Sequence, residues 1–430
     1  MHLSDLKRSG HAPTLFCAFL HFDISFMVWV ILGALAPFIA KDAHLAPGGL
    51  SASQKGLLVA VPLLGSAFFR ILFGFLSDKF GSKRVGVASL LATMIPLVGG
   101  WLFAKTYTDM LIVGALLGIA GASFAIALPL ASRWYPPHLQ GLAMGIAGAG
   151  NSGTVLATLF APLLAKSYGW HAVMGMLLIP ISLVFVTFLL FAKDAPGTIR
   201  KTTLESYFAV LKQRDTYAFA LLYFVTFGGF VGLSSFLNTF YVDQFGVAKA
   251  TVGLATAPFI IAGSLLRPVG GGLSDKFGGI RMLSMLYLGA CVSMVGVGFM
   301  MASRPLVGIL LFVGMGCLGM GNGSVFQIIP QRFRSEIGAI TGLVGAVGGV
   351  GGFYLNIVLG HLKDSTGTYA SGFWAFSITT LCALGILRLV APSWGMWLGE
   401  GGRALTADAT PSRPASTTAS IPVSSLEPAD

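Results

Sequence analysis

Residues 70–84 read RILFGFLSDKFGSKR, and residues 267–281 read RPVGGGLSDKFGGIR. The shared residues recur at one constant offset of 197: Arg70 with Arg267, Gly74 with Gly271, Asp78 with Asp275, and Arg84 with Arg281. Each leading arginine stands inside an apolar run of transmembrane length. A charge placed there costs at least ~2.5 to 3.5 kcal/mol on insertion scales, so it marks a polar path, a partner or a substrate. Two such charges at equivalent places in two halves point to one central site for something negative.

Composition agrees with a membrane reading. The chain has 430 residues, 55% of them hydrophobic and only 10% charged, with a mean hydropathy of +0.81. A soluble protein carries about 25% charged residues, so a polytopic membrane protein is close to forced. The 57 glycines fit as well, because small residues let helices approach closely in lipid. The net charge of +11 could indicate nucleic acid, but the basic residues sit in short loops between spans, where they orient the chain. Cys17, Cys291, Cys317 and Cys382 lie singly in apolar segments without metal or disulfide spacing. No nucleophile with its base, metal cluster or phosphate loop is recognisable, which argues against an enzyme and against any metal or cofactor.

Apolar runs against turn and charge punctuation predict twelve spans. Residues 1–13 form an N-terminus, 14–192 a first six-helix bundle, 193–215 a polar linker and 216–391 a second bundle. The remainder, 392–430, is rich in Ala, Ser, Thr and Pro and is expected to be disordered. One side of the membrane receives 18 of the lysines and arginines and the other only 7, which places both termini in the cytoplasm. The repeat also extends beyond the arginine segments: Gly141, Gly145 and Gly148 recur at Gly338, Gly342 and Gly345. A duplication of six-helix halves is an architecture of transporters that rock about a midplane site.

The short DKFG loops join two spans tightly, and Asp78 and Asp275 can cap the next element or meet positive groups nearby. The glycine rows in spans 5 and 11 form smooth faces for close packing. Asn151 differs, because a buried amide needs partners and can donate to an anion. Among sixteen acids only Asp23 sits well within a span, so two arginines lack countercharge. Either they bond backbone carbonyls or an anionic substrate supplies the charge, and the planar guanidinium fork suits planar oxyanions. Tyr223 and Phe227, four apart on one face, and Phe124 in span 4 either pack or shape the cavity.

The stretches GLAMGIAGAGNSG (141–153), GAITGLVGAVGGVGG (338–352) and RPVGGGLSDKFGG (267–279) resemble the nitrate/nitrite porter family of the major facilitator superfamily. The resemblance covers roughly residues 14–391. It implies an all-α membrane protein of twelve transmembrane helices in two pseudo-symmetric six-helix bundles, the major facilitator fold, in a bacterial inner (plasma) membrane. It implies secondary transport of nitrate, with nitrite as a further substrate, by a protein that works as a monomer among membrane lipid. Carried residue by residue, Arg70 and Arg267 clamp the anion and Asn151 donates to it. Tyr223, Phe227 and Phe124 sandwich it. Asp78, Arg84, Asp275 and Arg281 belong to the conformational switch rather than to substrate contact.

The shared clamp does not separate proton symport from nitrate/nitrite exchange. Asp23, near His21, is the feature that favours protons as a partner, because apolar surroundings let a carboxyl alternate between charged and neutral forms. A hydrogen-bonded structural role for Asp23 stands as the alternative. The stretch HFDISFMVWVILG (21–33) looks like the symporter type, so the expectation is proton-coupled nitrate uptake, with nitrate/nitrite exchange and transport of another small anion as the other readings.

Overall fold

In the computed structural model, Gly81 and Gly278 both leave their helices at positive φ, 92° and 94°. Side chains with a Cβ avoid that backbone, so glycine lets each DKFG turn end one span and start the next within a single residue. The sequence repeat is therefore also a repeat of backbone conformation. The structure describes residues 9–45, 47–196, 205, 208–333, 337–396 and 398, with backbone alone for 137–142, 337 and 396.

Among these residues twelve helices are long and apolar enough to cross a membrane, and no strand occurs. They are α1 (Ala12–Ile39), α2 (Ala52–Phe80), α3 (Ser82–Phe103), α4 (Tyr107–Ser132), α5 (Ala143–Tyr168) and α6 (Trp170–Phe191). The second six are α7 (Arg214–Phe245), α8 (Val252–Phe277), α9 (Gly279–Phe299), α10 (Arg304–Arg332), α11 (Gly338–Thr366) and α12 (Ala370–Gly395). An even number of spans puts both ends of the bundle on one face, called here the termini face, with the far face opposite.

Local sequence explains where these helices start and bend. Ser51 and Gln54 close a capping box at the head of α2, and Thr106 and Asp109 do the same for α4. The α8 span breaks at Leu266, between a helix ending at Leu265 and one opening on Arg267 and Pro268. Proline fits the first turn of a helix and not its interior, so the break sets Arg267 at a helix start. Similarly, Ala149–Ser152 forms a 3-10 turn that interrupts α5 at Asn151. Side chains such as Leu389, 80% exposed, and Ile179, 74% exposed, face outward, where only a lipid surround makes apolar exposure favourable.

Glycine holds the two halves together toward the far face. Gly33 of α1 lies on the Ser235 backbone of α7, Gly56 of α2 on the Asn356 carbonyl of α11, and Gly253 of α8 on the Thr158 carbonyl of α5. A methyl at any of the three would overlap the opposite backbone, so these close crossings require glycine. Lys55 adds an ion pair to Asp243 at 2.6 Å, and the Ala52 and Ser53 amides donate to Asp364 at 3.0 and 2.8 Å.

Two polar segments are more ordered than their composition implies. The expected disordered tail from 392 in fact begins with a 3-10 turn, Ala391–Met396. Trp394 in it is fully buried, stacks on Phe219 at 4.8 Å and donates to Asp215 at 2.9 Å. An indole with a ring partner and an acceptor outweighs the polar residues around it; the expectation beyond 398 lies outside the described residues. The linker likewise starts docked: Lys193 donates through its amide to Thr14 at 3.0 Å, and Asp194 accepts from the Lys83 amide at 3.0 Å. Its last two residues, Arg214 and Asp215, belong to α7.

Replacing Gly81 by alanine should cost about 1–3 kcal/mol from backbone strain, and more because the new methyl would sit 2.5 Å from an Asp194 carboxylate oxygen. A fall in the thermal unfolding midpoint of the detergent-purified protein checks this.

Candidate functional site

A guanidinium has five N–H donors and no acceptor, so the surroundings of a buried arginine reveal what it lacks. Arg70, on α2, is wholly buried. Its Nε donates to the Gly121 carbonyl of α4 at 2.9 Å, and its Nη1 donates across the seam to the Gly345 carbonyl of α11 at 2.5 Å. Its Nη2 has no partner. The guanidinium carbon lies 4.8 Å from the Phe227 ring centre, 5.0 Å from Trp29 and 5.5 Å from Phe124. Each such ring contact stabilises a cation by roughly 0.5–2 kcal/mol; none supplies negative charge.

Arg267 faces it from the other half. Its guanidinium carbon is 5.6 Å from the same Phe124 ring and 5.6 Å from Phe326, and its Nη1 has no partner. Among the described residues, the ion pairs Lys55–Asp243, Arg133–Asp78 and Arg332–Asp215 involve neither of these arginines. Two like charges thus share one aromatic ring with no carboxylate between them.

Aromatic side chains build the walls. Tyr223 and Phe227 of α7 stack at 4.9 Å with planes 6° apart, Trp29 stacks on Phe227 at 6.2 Å, and Phe326 meets Tyr223 and Phe124 edge-on at 5.0 and 5.6 Å. Gly348 makes room for the stack, since a methyl there would fall 2.8 Å from Tyr223 and 2.9 Å from Phe227. The Tyr223 hydroxyl feels both guanidiniums and lies beside Arg267, yet no hydrogen bond of ordinary geometry forms. Asn151 is fully buried with both amide atoms unpartnered; Ser264, one turn before Arg267, reaches its carbonyl at 3.5 Å.

This is a box of aromatic faces into which cationic and neutral donors point without acceptors. The Major Facilitator Superfamily pattern matches residues 15–356. The nitrite extrusion protein of Bacillus subtilis (strain 168) is 34% identical over 376 residues, covering 86% of this chain and 91% of that one. The probable nitrate transporter NarT of Staphylococcus epidermidis is 32% identical over 368 residues, covering 84% and 91%. The chain belongs to the nitrate/nitrite porter family of the Major Facilitator Superfamily. Among solved structures, the partially occluded inward-open xylose transporter XylE from E. coli aligns at a TM-score of 0.73 with 16% identity, over 92% of this chain and all of that one, a likeness of fold.

Within the porter, five of the six residues expected at the site, Arg70, Arg267, Tyr223, Phe227 and Phe124, lie in mutual contact, and Asn151 is linked to them through its backbone carbonyl at Ser264. Sequence reasoning missed Trp29 and Phe326. The spacing Phe22, Phe26, Trp29 sets three aromatics on one helical face, and Phe326 follows Gly321, Gly323 and Ser324, but neither pattern sets these rings apart from the many packing aromatics.

Asp23 lies beside this box rather than in it. Half-buried, it accepts a 2.6 Å hydrogen bond from Ser152, the residue after Asn151. His21 turns away from it toward Ser89, at 3.1 Å, and packs on the Phe188 ring. Asp78 pairs with Arg133 at the end of α4 and lies 3.1 Å from where a Gly338 methyl would be, at the start of α11. Arg84, Asp275 and Arg281 are exposed on the termini face.

The glycine rows divide in the same way. Gly342 and Gly345 are buried in the α2–α11 seam, whereas Gly145 has open space around a would-be methyl. At Gly148 of α5 and Gly271 of α8 the nearest such atom is 3.9 and 3.8 Å away and belongs to the same half. Gly141 lies where backbone alone is described. Among the described residues the halves are thus sealed backbone to backbone toward the far face, whereas methyls at Gly145, Gly148 and Gly271 would meet no atom of the other half within 4 Å. On the sealed face, burial and the neighbouring Lys41 and Lys55 charges hold the Lys249 ammonium below its ordinary range.

Two glycine substitutions should separate close approach from simple packing. At Gly345 an added methyl meets Phe124 and Arg70 no closer than 3.5 Å, so alanine should be neutral or slightly stabilising, as in other helix interiors. Gly348→Ala should destabilise by about 1–3 kcal/mol through overpacking. Thermal unfolding of the two variants side by side is the check.

Proposed function

We propose that the chain is a secondary transporter that carries nitrate, and nitrite with it, across the inner (plasma) membrane by alternating access, coupled to protons for nitrate uptake. The observation that carries this reading is the set of donors without acceptors at Arg70 Nη2, Arg267 Nη1, the Tyr223 hydroxyl and Asn151 Nδ2. A flat anion meets all of them at once: its oxygens accept from the forks, and its faces lie against Phe124, Tyr223 and Phe227. The names of the curated relatives agree with that substrate class.

Alternating access follows from the charge balance. Without an anion the two guanidiniums repel across Phe124; with one bound, each half is attracted to the same ion, so occupancy favours closure around it. The Lys/Arg bias assigns the termini face to the cytoplasm, so the sealed far face is the outside and the side of Gly145, Gly148 and Gly271 is the inward route. Asp78, paired with Arg133 and next to the start of α11, is suited to switching between states.

Entry of a monovalent anion opposes an inside-negative potential by about 2.3 kcal/mol per 100 mV. Asp23 is the group suited to carry the compensating proton, because its hydrogen bond to Ser152 ties its charge state to the segment holding Asn151. A second reading, nitrate/nitrite exchange, is favoured by that same bond, which satisfies Asp23 as a structural group, and by the extrusion activity in one relative's name.

Binding titrations test the clamp. Arg70→Lys and Arg267→Lys keep the charge and lose the fork, so each should weaken nitrate binding about 10- to 100-fold, the equivalent of one or two charge-assisted hydrogen bonds. Wild-type affinity in both variants would break the clamp. Proteoliposomes without internal nitrite test the coupling. An imposed pH gradient should drive nitrate accumulation in the wild type and fail to do so in Asp23→Asn, whereas uptake that waits for internal nitrite would establish exchange.

A further inference from the structure

One more polar group meets the same space, from a span that the clamp leaves unused. Asn322 of α10 has no exposed surface, and neither its Nδ2 nor its Oδ1 has a hydrogen-bond partner. Its neighbours on the helix fix where it points. Gly319 and Gly323 press on the α8 backbone at Gly263 and Arg267, while Gly321 and Leu318 press on α7 at Thr226 and Gly229. Position 322 falls between those two edges, on the same face as Phe326 one turn away. Phe326 already touches the Arg267 guanidinium and the Tyr223 ring. Contact of Gly323 with the Arg267 carbonyl, and of Gly321 with Thr226, sets the height: level with the clamp, between Tyr223 and Phe227.

An amide buried without a partner is unfavourable, and an apolar side chain of similar size avoids that cost. Its retention there is explained by a ligand that accepts from Nδ2. The remaining donors, on Arg70, Arg267, Asn151 and Tyr223, come from the α2, α8, α5 and α7 sides. A trigonal anion presents an oxygen in each of three in-plane directions and so has one for α10. A bent two-oxygen anion presents only a nitrogen lone pair there, a weaker acceptor. We infer that Asn322 is a further anion-binding residue and the one that favours the three-oxygen anion over the two-oxygen anion. This rests on the nitrate/nitrite reading and names its specificity determinant.

The test is calorimetric titration of the detergent-purified full chain with nitrate and with nitrite, for wild type, Asn322→Ala and Asn322→Leu. Thermal unfolding of each without anion accompanies it. Loss of one charge-assisted hydrogen bond should weaken nitrate binding about tenfold or more and nitrite binding less than about threefold. The anion-free unfolding midpoint of at least one variant should equal or exceed that of wild type, because the unpartnered amide is gone; a structural asparagine would give a lower midpoint. Unchanged nitrate affinity, equal losses for the two anions, or lower anion-free midpoints in both variants would overturn the assignment. If wild type binds neither anion, the transport reading itself falls and the assignment with it; if wild type binds both and the variants match it, only the assignment falls.

Discussion

Two positive charges within the membrane-spanning bundle, Arg70 wholly buried and Arg267 partly so, constrain everything else in this molecule, with no carboxylate paired to either. Arg70 uses two carbonyls and three aromatic faces, and still one of its terminal nitrogens has nothing to donate to. Hydrogen bonds to a charged group contribute about 1.5–3 kcal/mol each, which offsets part of the desolvation and none of the charge. The repulsion between Arg70 and Arg267 is a cost the protein bears in order to bind something negative.

That cost also explains why the seam is built from glycine. A carbonyl of α11 can accept from Arg70 only if α2 and α11 run close together, which Gly349 permits where a methyl would crowd the Leu63 carbonyl of α2 at 3.0 Å. The same closeness brings Gly348 under the Tyr223–Phe227 stack, so the glycine row and the aromatic box are one construction. Toward the far face the row continues as backbone-to-backbone crossings. At Gly145, Gly148 and Gly271, toward the termini face, the described residues show no such crossing between α5 and α8.

Much of this was legible in the sequence because it repeats. The offset that links Arg70 to Arg267 also links Gly81 to Gly278, and both turns have the backbone that the offset implies. The arginines could be singled out because charge in an apolar run is rare. Trp29 and Phe326 could not be singled out in the same way, since a chain with 33 phenylalanines offers many aromatics, and only tertiary contact shows which of them meet a guanidinium. The tail shows the opposite difficulty: one indole, Trp394, docks a segment whose composition reads as unstructured. Asp23 is a further case, for its partner Ser152 lies 129 positions away and is named only by tertiary contact.

The central claim is that the missing countercharge is the substrate. A high-resolution structure of the porter saturated with nitrate tests it most directly. The account requires a flat anion between the two arginines, within hydrogen-bonding distance of Arg70 Nη2 and Arg267 Nη1 and lying against Phe124. Nitrate bound elsewhere, with both guanidiniums still unpaired, would contradict it.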